Sequence, residues 1–467
     1  MALPETFDLL VLGAGSTGLD VVAWALDHPE RARSITVYAG AKASPTGETR
    51  RLEGAGVRFV FGTEDVEGAY DICVASPGIS EFSDFFRDAR AASGEIMGEP
   101  EFAWRLSPER WCAITGTNGK TTTTSLTDHL LHASGMKSVA VGNIGEPPIH
   151  EVDKREAGEW FVAELSSYQI ATAHELHPRV ACLLNITPDH LAWHRTHENY
   201  ALAKVKLFDN MGPDDLIAVD VEDEGIARVA DRIYLPGRRI CKLAIEDAGG
   251  PDAAYLRDGV LAVRLGGTEH VLIPERDLQI HGRFNTINAL AASACALACG
   301  ADDEGVRRGL ESFKPLEHRI EPVREIAGVR WYNDSKATNT DAVEKALTAF
   351  PDDRVTLLLG GHDKGTPLED FMVKVVAGAS AVVCFGAARG RFRKALEETP
   401  GADSLTIADA GSLRDAVDVA ASLANRGDVV LLSPACSSFD EFSGYEERGR
   451  AFKGYVADLA RRAGEGD

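Results

Sequence analysis

The stretch Trp111–Thr124, W-C-A-I-T-G-T-N-G-K-T-T-T-T, carries residue types that could bind a phosphate group. An apolar run typical of a strand leads into a turn containing Gly119, and Lys120 and Thr121 open a predicted helix. Backbone N–H groups of such a turn can surround phosphate oxygens, and the helix N-terminus adds positive potential. The lysine supplies a cation and the threonine hydroxyl can ligate Mg²⁺. The usual pattern has glycine where this chain has Ile114, yet the whole favours a nucleotide site over an ordinary turn.

Length and composition exclude several classes of protein. A chain of 467 residues is too long for one core and predicts two or three domains. The net charge of −23 disfavours a nucleic-acid partner, which needs a basic surface. No secretory signal and no apolar run of about 20 residues is visible, so we expect a cytoplasmic protein without membrane insertion. The eight cysteines include no C-x-x-C pair and are predicted to be scattered buried thiols.

A second glycine-containing turn, Gly13–Gly18, follows the predicted strand Phe7–Leu12 and has the G-x-G-x-x-G spacing of dinucleotide-binding units. A nicotinamide-binding domain would carry an acid after the second strand, Ser34–Tyr38, where this chain has Ala39-Gly40. The turn can still hold the diphosphate of another ligand on its helix terminus. The later turn Ser76–Ile79 is either a ligand loop or a plain connector.

Two side chains follow predicted strands of the central region. Glu164 lies near the end of an apolar strand, where it could complete a Mg²⁺ shell or act only as a cap. His190 follows the next strand and is retained as a site candidate. His194 and His197 fit no common zinc spacing and are expected to be structural or exposed.

Alternating strands and helices predict an α/β protein with doubly wound sheets. We expect further strands at Arg232–Leu235 and a hairpin at Ala254–Leu265, then a new α/β region beginning at Glu317. Three polar loops end strands of this last region, where ligands of α/β sheets bind, although ordinary connections remain possible. These loops are Asn333–Asn339, Gly360–Lys364 and Ser433–Ser438.

Five motifs together resemble the Mur ligases of bacterial peptidoglycan synthesis: T-G-T-N-G-K-T-T-T, G-N-I-G, E-L-S-S-Y-Q, T-P-D-H and N-D-S-K-A-T-N. The resemblance spans almost the whole chain and implies three domains. Residues 1–107 would form a Rossmann-like UDP-binding domain and residues 108–315 a central P-loop ATPase-like domain. Residues 316–467 would form a C-terminal Rossmann-like domain that binds the amino acid.

The family's chemistry is ATP-dependent amide bond formation through an acyl phosphate. N-D-S-K-A-T-N and L-L-S-P-A-C-S-S-F-D resemble the branch that adds D-glutamate to UDP-N-acetylmuramoyl-L-alanine, and the Asp-Asn-Pro-Arg motif of the diaminopimelate-adding branch is absent from the sequence. The resemblance implies two Mg²⁺ sites and a carbamate on Lys204. Lys204 is preferred to Lys206 because Tyr200 precedes it with the family's Tyr-x-x-x-Lys spacing. A monomer is expected.

The resemblance also implies the roles of individual residues. The catalytic positions are Lys120, His190, Lys204, Glu164 and Asn143. The ATP positions are Gly116, Thr117, Asn118, Gly119, Lys120, Thr121, Thr122, Asn285, Asn288, Arg319 and Asp334. The metal positions are Thr121 and Glu164 for the first ion and His190 and Lys204 for the second. The substrate positions are Ser16, Thr17, Ser76 and Gly78 for UDP, Asn143, Ser166 and His190 for muramoyl-alanine, and Lys336, Thr338, Lys364, Ser438 and Tyr445 for D-glutamate.

Two departures concern the uridine contacts and the start of a predicted helix. Ala39-Gly40 replaces an acid expected near uracil, and Phe284 stands where many members have histidine. Three alternatives compete with this interpretation: an alanine-adding or folylpolyglutamate-type ligase, a nucleotide-binding oxidoreductase using Gly13–Gly18, and a non-catalytic relative. The last would be expected to lose Lys120 or its catalytic companions, and they are all present.

Overall fold

The computed structural model describes residues 3–363, 365 and 367–465. Its strands form three sheets, each flanked by helices. Two compact units are distinguished by their internal contacts: Met1–Leu278 with Ile287–Phe313, and Gln279–Thr286 with Lys314–Asp467. The first unit holds the first two sheets and the second unit holds the third, which confirms the predicted α/β class in three regions.

The first sheet is entirely parallel, with strand order 3-2-1-4-5. Its strands are β1 Phe7–Leu12, β2 Ala32–Gly40, β3 Arg58–Phe61, β4 Tyr70–Ala75 and β5 Ser93–Gly98. Its helices are α1 Ser16–Asp27, α2 Gly47–Gly54, α3 Asp84–Ala91 and α4 Glu99–Leu106. The glycine turn packs α1 closely on β1, because a Cβ at Gly18 would lie 2.1 Å from the carbonyl oxygen of Gly13.

The middle sheet has the strand order 14-13-12-11-10-9-6-8-7 and is parallel except at the β12–β13 and β13–β14 pairs. Its strands are β6 Trp111–Thr115, β7 Ser138–Gly142, β8 Trp160–Glu164, β9 Val180–Leu183, β10 Leu216–Asp220, β11 Ile240–Leu243, β12 Ala253–Arg257, β13 Val260–Leu265 and β14 Thr268–Pro274. Its helices are α5 Lys120–Ala133, α6 Pro148–Glu151, α7 Ser167–Ala171, α8 Leu191–His194, α9 His197–Val205, α10 Glu224–Ala227, α11 Ala230–Ile233, α12 Arg283–Cys299 and α13 Asp303–Ser312. The predicted hairpin at Ala254–Leu265 is confirmed by β12 and β13.

The predicted strand at Arg232–Leu235 is wrong. Arg232 belongs to the single helical turn α11, which buries only Ile233, while Tyr234 and Leu235 are exposed. The strand lies further on, at β11, where Cys241 and Leu243 alternate with half-exposed neighbours, as expected of a sheet with one better-buried face.

The third sheet has the order 15-16-20-17-18-19, with only the β15–β16 pair antiparallel. Its strands are β15 Glu321–Ile326, β16 Val329–Asn333, β17 Val355–Gly360, β18 Ala381–Phe385, β19 Thr406–Asp409 and β20 Val429–Ala435. Its helices are α14 Thr340–Leu347, α15 Glu369–Gly378, α16 Arg389–Glu397, α17 Leu413–Leu423 and α18 Tyr445–Arg462. β17 and β20 are buried throughout, so the loops that follow them leave the sheet from its centre.

All eight cysteines are free and buried, as predicted, but they are not all scattered. Cys295 on α12 lies close to Cys112 on β6 and Cys182 on β9. Burial raises the pKa of the Cys299 thiol, one turn further along α12. These thiols therefore form part of the apolar packing between α12 and the middle sheet. Among the helices of the described residues, none has the length and apolarity that a bilayer crossing requires.

Candidate active site

The loop between β6 and α5 depends on two glycines with positive φ, Gly116 at +153° and Gly119 at +84°. A Cβ at Gly119 would lie 2.5 Å from the Asn288 side-chain oxygen. Ile114, where the usual pattern has glycine, is buried inside β6 and pairs with Glu164 on β8. The turn therefore begins after Thr115, and position 114 belongs to the strand instead.

Side chains from a neighbouring connection hold the phosphate loop in place. The Asn118 amide donates to the Asn185 side chain at 2.8 Å, and the Asn185 side chain donates back to the Asn118 carbonyl at 3.1 Å. The Thr117 hydroxyl lies 2.9 Å from the Tyr200 hydroxyl and 3.1 Å from the Thr187 carbonyl. No sequence motif marks Asn185, because its contact with the loop depends on β9 lying beside β6. The loop is thus pre-shaped before any ligand binds.

Lys120 and Thr121 open α5, as predicted. The Lys120 ammonium donates to the Thr117 carbonyl at 2.8 Å, so the side chain folds back over the loop. Thr122 is buried in the first turn of the helix. Asn288 on α12 lies beneath the loop, where its side-chain oxygen accepts a hydrogen bond from the Thr123 hydroxyl at 3.3 Å.

Glu164 is 1% exposed at the carboxyl end of β8. Its Oε1 accepts a hydrogen bond from the Asn143 side chain at 2.8 Å, and the Asn143 backbone amide donates to the Glu164 carbonyl at 2.8 Å. The second carboxylate oxygen, Oε2, is buried without a hydrogen-bond partner among the described residues. A buried oxygen of this kind is costly unless a ligand satisfies it, and a hard cation is the fitting ligand.

Lys204 is 1% exposed on α9 and also points to the phosphate loop. Its Nζ donates to the Gly116 carbonyl at 2.8 Å and lies 4.8 Å from the centre of the Tyr200 ring. Burial, followed by the nearby Lys120 charge, lowers the pKa of Lys204 well below its usual value. Lys206, two residues later, donates to the Ala171 carbonyl at the end of α7 and so has a structural contact.

His190 has a positive φ of +55° and a half-exposed ring beside the Tyr168 ring, with centroids 4.8 Å apart. Its Nε2 lies 3.6 Å from Asp189 Oδ2. The neighbouring His194 is buried, donates to or accepts from the Ser167 hydroxyl at 2.9 Å, and has a pKa lowered by burial to about 4. His194 is therefore a neutral structural residue, as predicted.

The remaining candidates of the first unit lie at loop ends. Ser16 is exposed and Thr17 half-buried at the start of α1, and Gly78 is exposed after β4. The Ser76 hydroxyl donates to the Gly13 carbonyl at 3.4 Å, which joins the two turns. Ser166 caps α7 through its hydroxyl, which accepts from the Gln169 amide at 3.3 Å.

The third sheet places Asp334 and Lys336 after β16. Asp334 is buried, and its carboxylate accepts hydrogen bonds from the Ser433 hydroxyl at 2.7 Å and the Ile320 amide at 3.3 Å. Burial raises the pKa of Asp334 to about 7, and the Arg319 charge opposes this shift. The Lys336 ammonium lies 3.8 Å from the centre of the Tyr445 ring.

Arg448 was missed by sequence reasoning, although it connects both loops of this region. It is 1% exposed on α18 and donates to the Ser335 hydroxyl at 2.9 Å and the Ser335 carbonyl at 2.8 Å. It also donates to the carbonyls of Cys436 at 3.0 Å and Ser437 at 3.2 Å. Ser438 is buried beside this network and Thr338 is half-buried.

Two further predicted positions are Asn285 and Lys364. The Asn285 side chain donates to the His281 carbonyl at 2.9 Å in the first turn of α12. Lys364 lies outside the described residues. The structure therefore brings together Gly116–Lys120, Glu164, Asn143 and Lys204 in one place. In the other unit, Lys336 contacts Tyr445 and Asp334 contacts Ser433.

The first group can hold a nucleotide phosphate and a divalent cation. Backbone amides and Lys120 face phosphate oxygens in such loops, and the unsatisfied Glu164 oxygen suits Mg²⁺. No other buried carboxylate of that region combines a free oxygen with a phosphate loop among the described residues.

Comparison with known proteins gives the same family throughout the chain. Residues 114–296 match the Mur ligase middle domain, and residues 318–436 match the Mur ligase glutamate ligase domain. UDP-N-acetylmuramoylalanine–D-glutamate ligase of Thermoanaerobacter pseudethanolicus is 38% identical over 88% of this chain and 89% of its own length. The enzyme of the same name from Geobacter metallireducens is 38% identical over 97% of each chain.

Solved structures share the fold at lower identity. MurF from Acinetobacter baumannii superposes with a TM-score of 0.61 at 16% identity, covering 97% of this chain and 93% of its own. UDP-N-acetylmuramate-alanine ligase MurC from Thermotoga maritima gives a TM-score of 0.56 at 19% identity, covering 97% and 100%. With relatives 38% identical over most of its length and two of the family's domain models matched, this chain belongs to the Mur ligase family, whose members are ligases that use ATP and Mg²⁺.

Proposed function

We propose that this protein joins D-glutamate to UDP-N-acetylmuramoyl-L-alanine, with ATP converted to ADP and phosphate. The observation that carries the chemistry is the buried Glu164 oxygen without a partner beside a pre-shaped phosphate loop. The choice of substrates is supported by the names of the relatives that are 38% identical over most of both chains. In this proposal the protein acts as a cytoplasmic monomer in peptidoglycan precursor synthesis.

ATP would bind at Gly116–Thr122, with Lys120 leaving the Thr117 carbonyl to contact the β- and γ-phosphates. Asn285, Asn288, Arg319 and Asp334 are proposed as further ATP contacts. A buried carboxylate such as that of Asp334 can accept hydrogen bonds from ribose hydroxyls, and an arginine can pair with phosphate. The boundaries of the three domains, at 107/108 and 315/316, remain part of this proposal.

Two Mg²⁺ ions are proposed, the first at Thr121 and Glu164 and the second at His190 and Lys204. Bound there, the ions would neutralise charge on the transferring phosphoryl group. The Asn143 side chain holds Glu164 Oε1, which leaves Oε2 as the oxygen available to the ion.

Lys204 is proposed to carry a carbamate. An amine nitrogen in its neutral form attacks the carbon of CO₂, loses a proton, and becomes an N–COO⁻ group. Burial of Lys204 favours that neutral form. The product is an anionic oxygen ligand in a pocket where an ammonium would repel a second cation.

The reaction would proceed in two steps. A carboxylate oxygen of the muramoyl-bound alanine attacks the γ-phosphorus of ATP, ADP leaves, and an acyl phosphate remains. The neutral amine of D-glutamate then attacks the acyl carbon, loses a proton, and expels phosphate. Both steps concentrate negative charge, so positioned cations such as Lys120 should be the main catalytic contribution.

The substrates would be held by two groups of residues. Ser16, Thr17, Ser76 and Gly78 are proposed for the UDP group, and Asn143, Ser166 and His190 for the muramoyl-alanine. Lys336, Thr338, Lys364, Ser438 and Tyr445 are proposed for D-glutamate, since an ammonium and hydroxyls suit its carboxylates. The Lys336–Tyr445 contact would fix the direction of that ammonium.

The test is release of ADP and phosphate by the purified protein with a series of amino acids. Turnover is expected only when UDP-N-acetylmuramoyl-L-alanine and D-glutamate are both present. Equal turnover with L-alanine or diaminopimelate as the amine would refute the assignment. Each amino acid is also added without the UDP-sugar as a control for uncoupled ATP hydrolysis.

A further inference from the structure

The loop after β4 and the segment after β9 are joined by three polar contacts. The Trp193 indole N–H donates to the Pro77 carbonyl at 3.1 Å, and the Ser80 hydroxyl donates to the Trp193 carbonyl at 3.0 Å. Arg195 donates to the Phe82 carbonyl at 2.8 Å. These contacts join a turn of the first sheet to a turn of the middle sheet within one compact unit.

Trp193 also belongs to the aromatic cluster around His190. The Tyr168 ring lies 4.8 Å from both the Trp193 and the His190 rings, and the Trp193 amide donates to the His190 carbonyl at 3.0 Å. His190 itself has the left-handed backbone conformation, φ +55°. Such a conformation costs energy for a residue with a side chain and persists only where its surroundings hold it.

We infer that Trp193 is a positioning residue that couples the loop 76–83 to His190. This inference rests on the proposed function, in which Ser76 and Gly78 contact UDP and His190 is a metal ligand. A ligand that orders the loop would strengthen the Pro77–Trp193 bond and so restrict His190 to one arrangement. The UDP-sugar would then raise the affinity of His190 for a metal ion by some factor. By thermodynamic linkage, the metal ion would raise the affinity for the UDP-sugar by that same factor.

A substitution at Trp193 can remove the hydrogen bond to Pro77 while keeping the aromatic packing that the fold needs. Trp193→Phe keeps an aromatic ring for Tyr168 but removes the N–H that bonds Pro77. Ser80→Ala removes a second of the three contacts, the Ser80–Trp193 hydrogen bond, and leaves the aromatic cluster intact. Trp104→Phe is the matched control, since Trp104 is also half-buried and its indole nitrogen has no hydrogen-bond partner among the described residues.

The experiment is calorimetric titration of the full chain with UDP-N-acetylmuramoyl-L-alanine, with and without Mn²⁺, and without ATP or D-glutamate so that no turnover occurs. Wild-type and Trp104→Phe proteins should bind about fivefold more tightly with Mn²⁺. In Trp193→Phe and Ser80→Ala this enhancement should fall to roughly twofold or less, since each loses one hydrogen bond of the connection.

An unchanged enhancement in both variants would overturn the inference, as would a wild-type protein that binds the UDP-sugar equally well with and without the metal. Absence of UDP-sugar binding by the wild-type protein would instead refute the proposed function, and the inference with it. If Trp193→Phe failed to fold, Ser80→Ala would still decide the outcome.

Discussion

Buried charged groups of the middle and third sheets are satisfied to very different degrees. In the middle sheet, Glu164 has a carboxylate oxygen with no hydrogen-bond partner among the described residues, and Lys204 has a strongly lowered pKa. In the third sheet, Asp334 accepts two hydrogen bonds and Arg448 donates to a hydroxyl and three carbonyls. Buried polar groups left incomplete lower stability and tend to be kept for function. Under the proposed function, the middle-sheet groups serve ligands, whereas the hydrogen bonds of Arg448 hold the fold together.

The largest effect is expected at Lys204. Lys204→Ala should lower turnover on the order of 100- to 1,000-fold, because it removes a group that would stabilise charge in the transition state. Short-chain carboxylates should restore part of the activity by entering the vacated space. Lys204→Met fills that space and should not be rescued, while its unfolding free energy should equal or exceed that of the wild type. Unaffected turnover in Lys204→Ala would remove Lys204 from the site.

Arg448→Lys should show the opposite pattern, a loss of stability first. A lysine cannot reproduce the planar fork that contacts Ser335, Cys436 and Ser437 together. We expect a loss of about 1–3 kcal/mol in the unfolding free energy of the second unit, measured by denaturant titration. A variant as stable as the wild type would show that this network is not structural.

Glu164→Gln should change the metal requirement with little change in stability. The amide keeps the shape of the side chain but lacks the charge, so the Mg²⁺ concentration for half-maximal activity should rise by about 10- to 100-fold. Glu99→Gln is the matched control, because Glu99 is also 1% exposed and accepts a hydrogen bond from the Ile149 amide. The same shift in both variants would mean that burial alone explains the result.

The smallest effect concerns the pH dependence of the third sheet. The pKa of Asp334 is raised to about 7, so the native state binds this proton more tightly than the unfolded chain, whose value is near 3.8. The associated stability is present below pH 4 and is lost as the pH rises to about 7. The unfolding free energy of the wild type should therefore decrease between pH 4 and pH 7. In Asp334→Asn this decrease should be smaller by about 1–3 kcal/mol. Parallel curves for the two proteins would contradict the shift.

Apolar runs predicted the buried strands well. The predicted strand Phe7–Leu12 has the observed bounds, because it is a short, largely apolar segment that ends at a glycine turn. The edge strands β14, β15 and β19 went unpredicted, since their half-exposed residues lack such a run. The strand prediction at Arg232–Leu235 is wrong for a related reason: this short, largely apolar run has the pattern of a buried strand, but Tyr234 and Leu235 are exposed.

Local motifs identified the phosphate loop, and the family resemblance selected Lys204, but neither could predict long-range contacts. Apart from the family spacing to Tyr200, nothing in the sequence distinguishes Lys204 from Lys206. The packing of α9 on the loop makes Lys204 a buried amine, whereas Lys206 contacts the end of α7. Arg448 and Trp193 have partners 113 and 116 residues away, so no spacing could have revealed them.

The most direct measurement follows oxygen through the reaction. UDP-N-acetylmuramoyl-L-alanine labelled with ¹⁸O in the alanine carboxylate is incubated with ATP, D-glutamate and the purified protein, and the released phosphate is analysed by mass. If the phosphoryl group is transferred to that carboxylate, each phosphate released should carry one ¹⁸O atom from a fully labelled substrate. Phosphate without ¹⁸O would show that ATP is cleaved by water, and would contradict the proposed ligase chemistry.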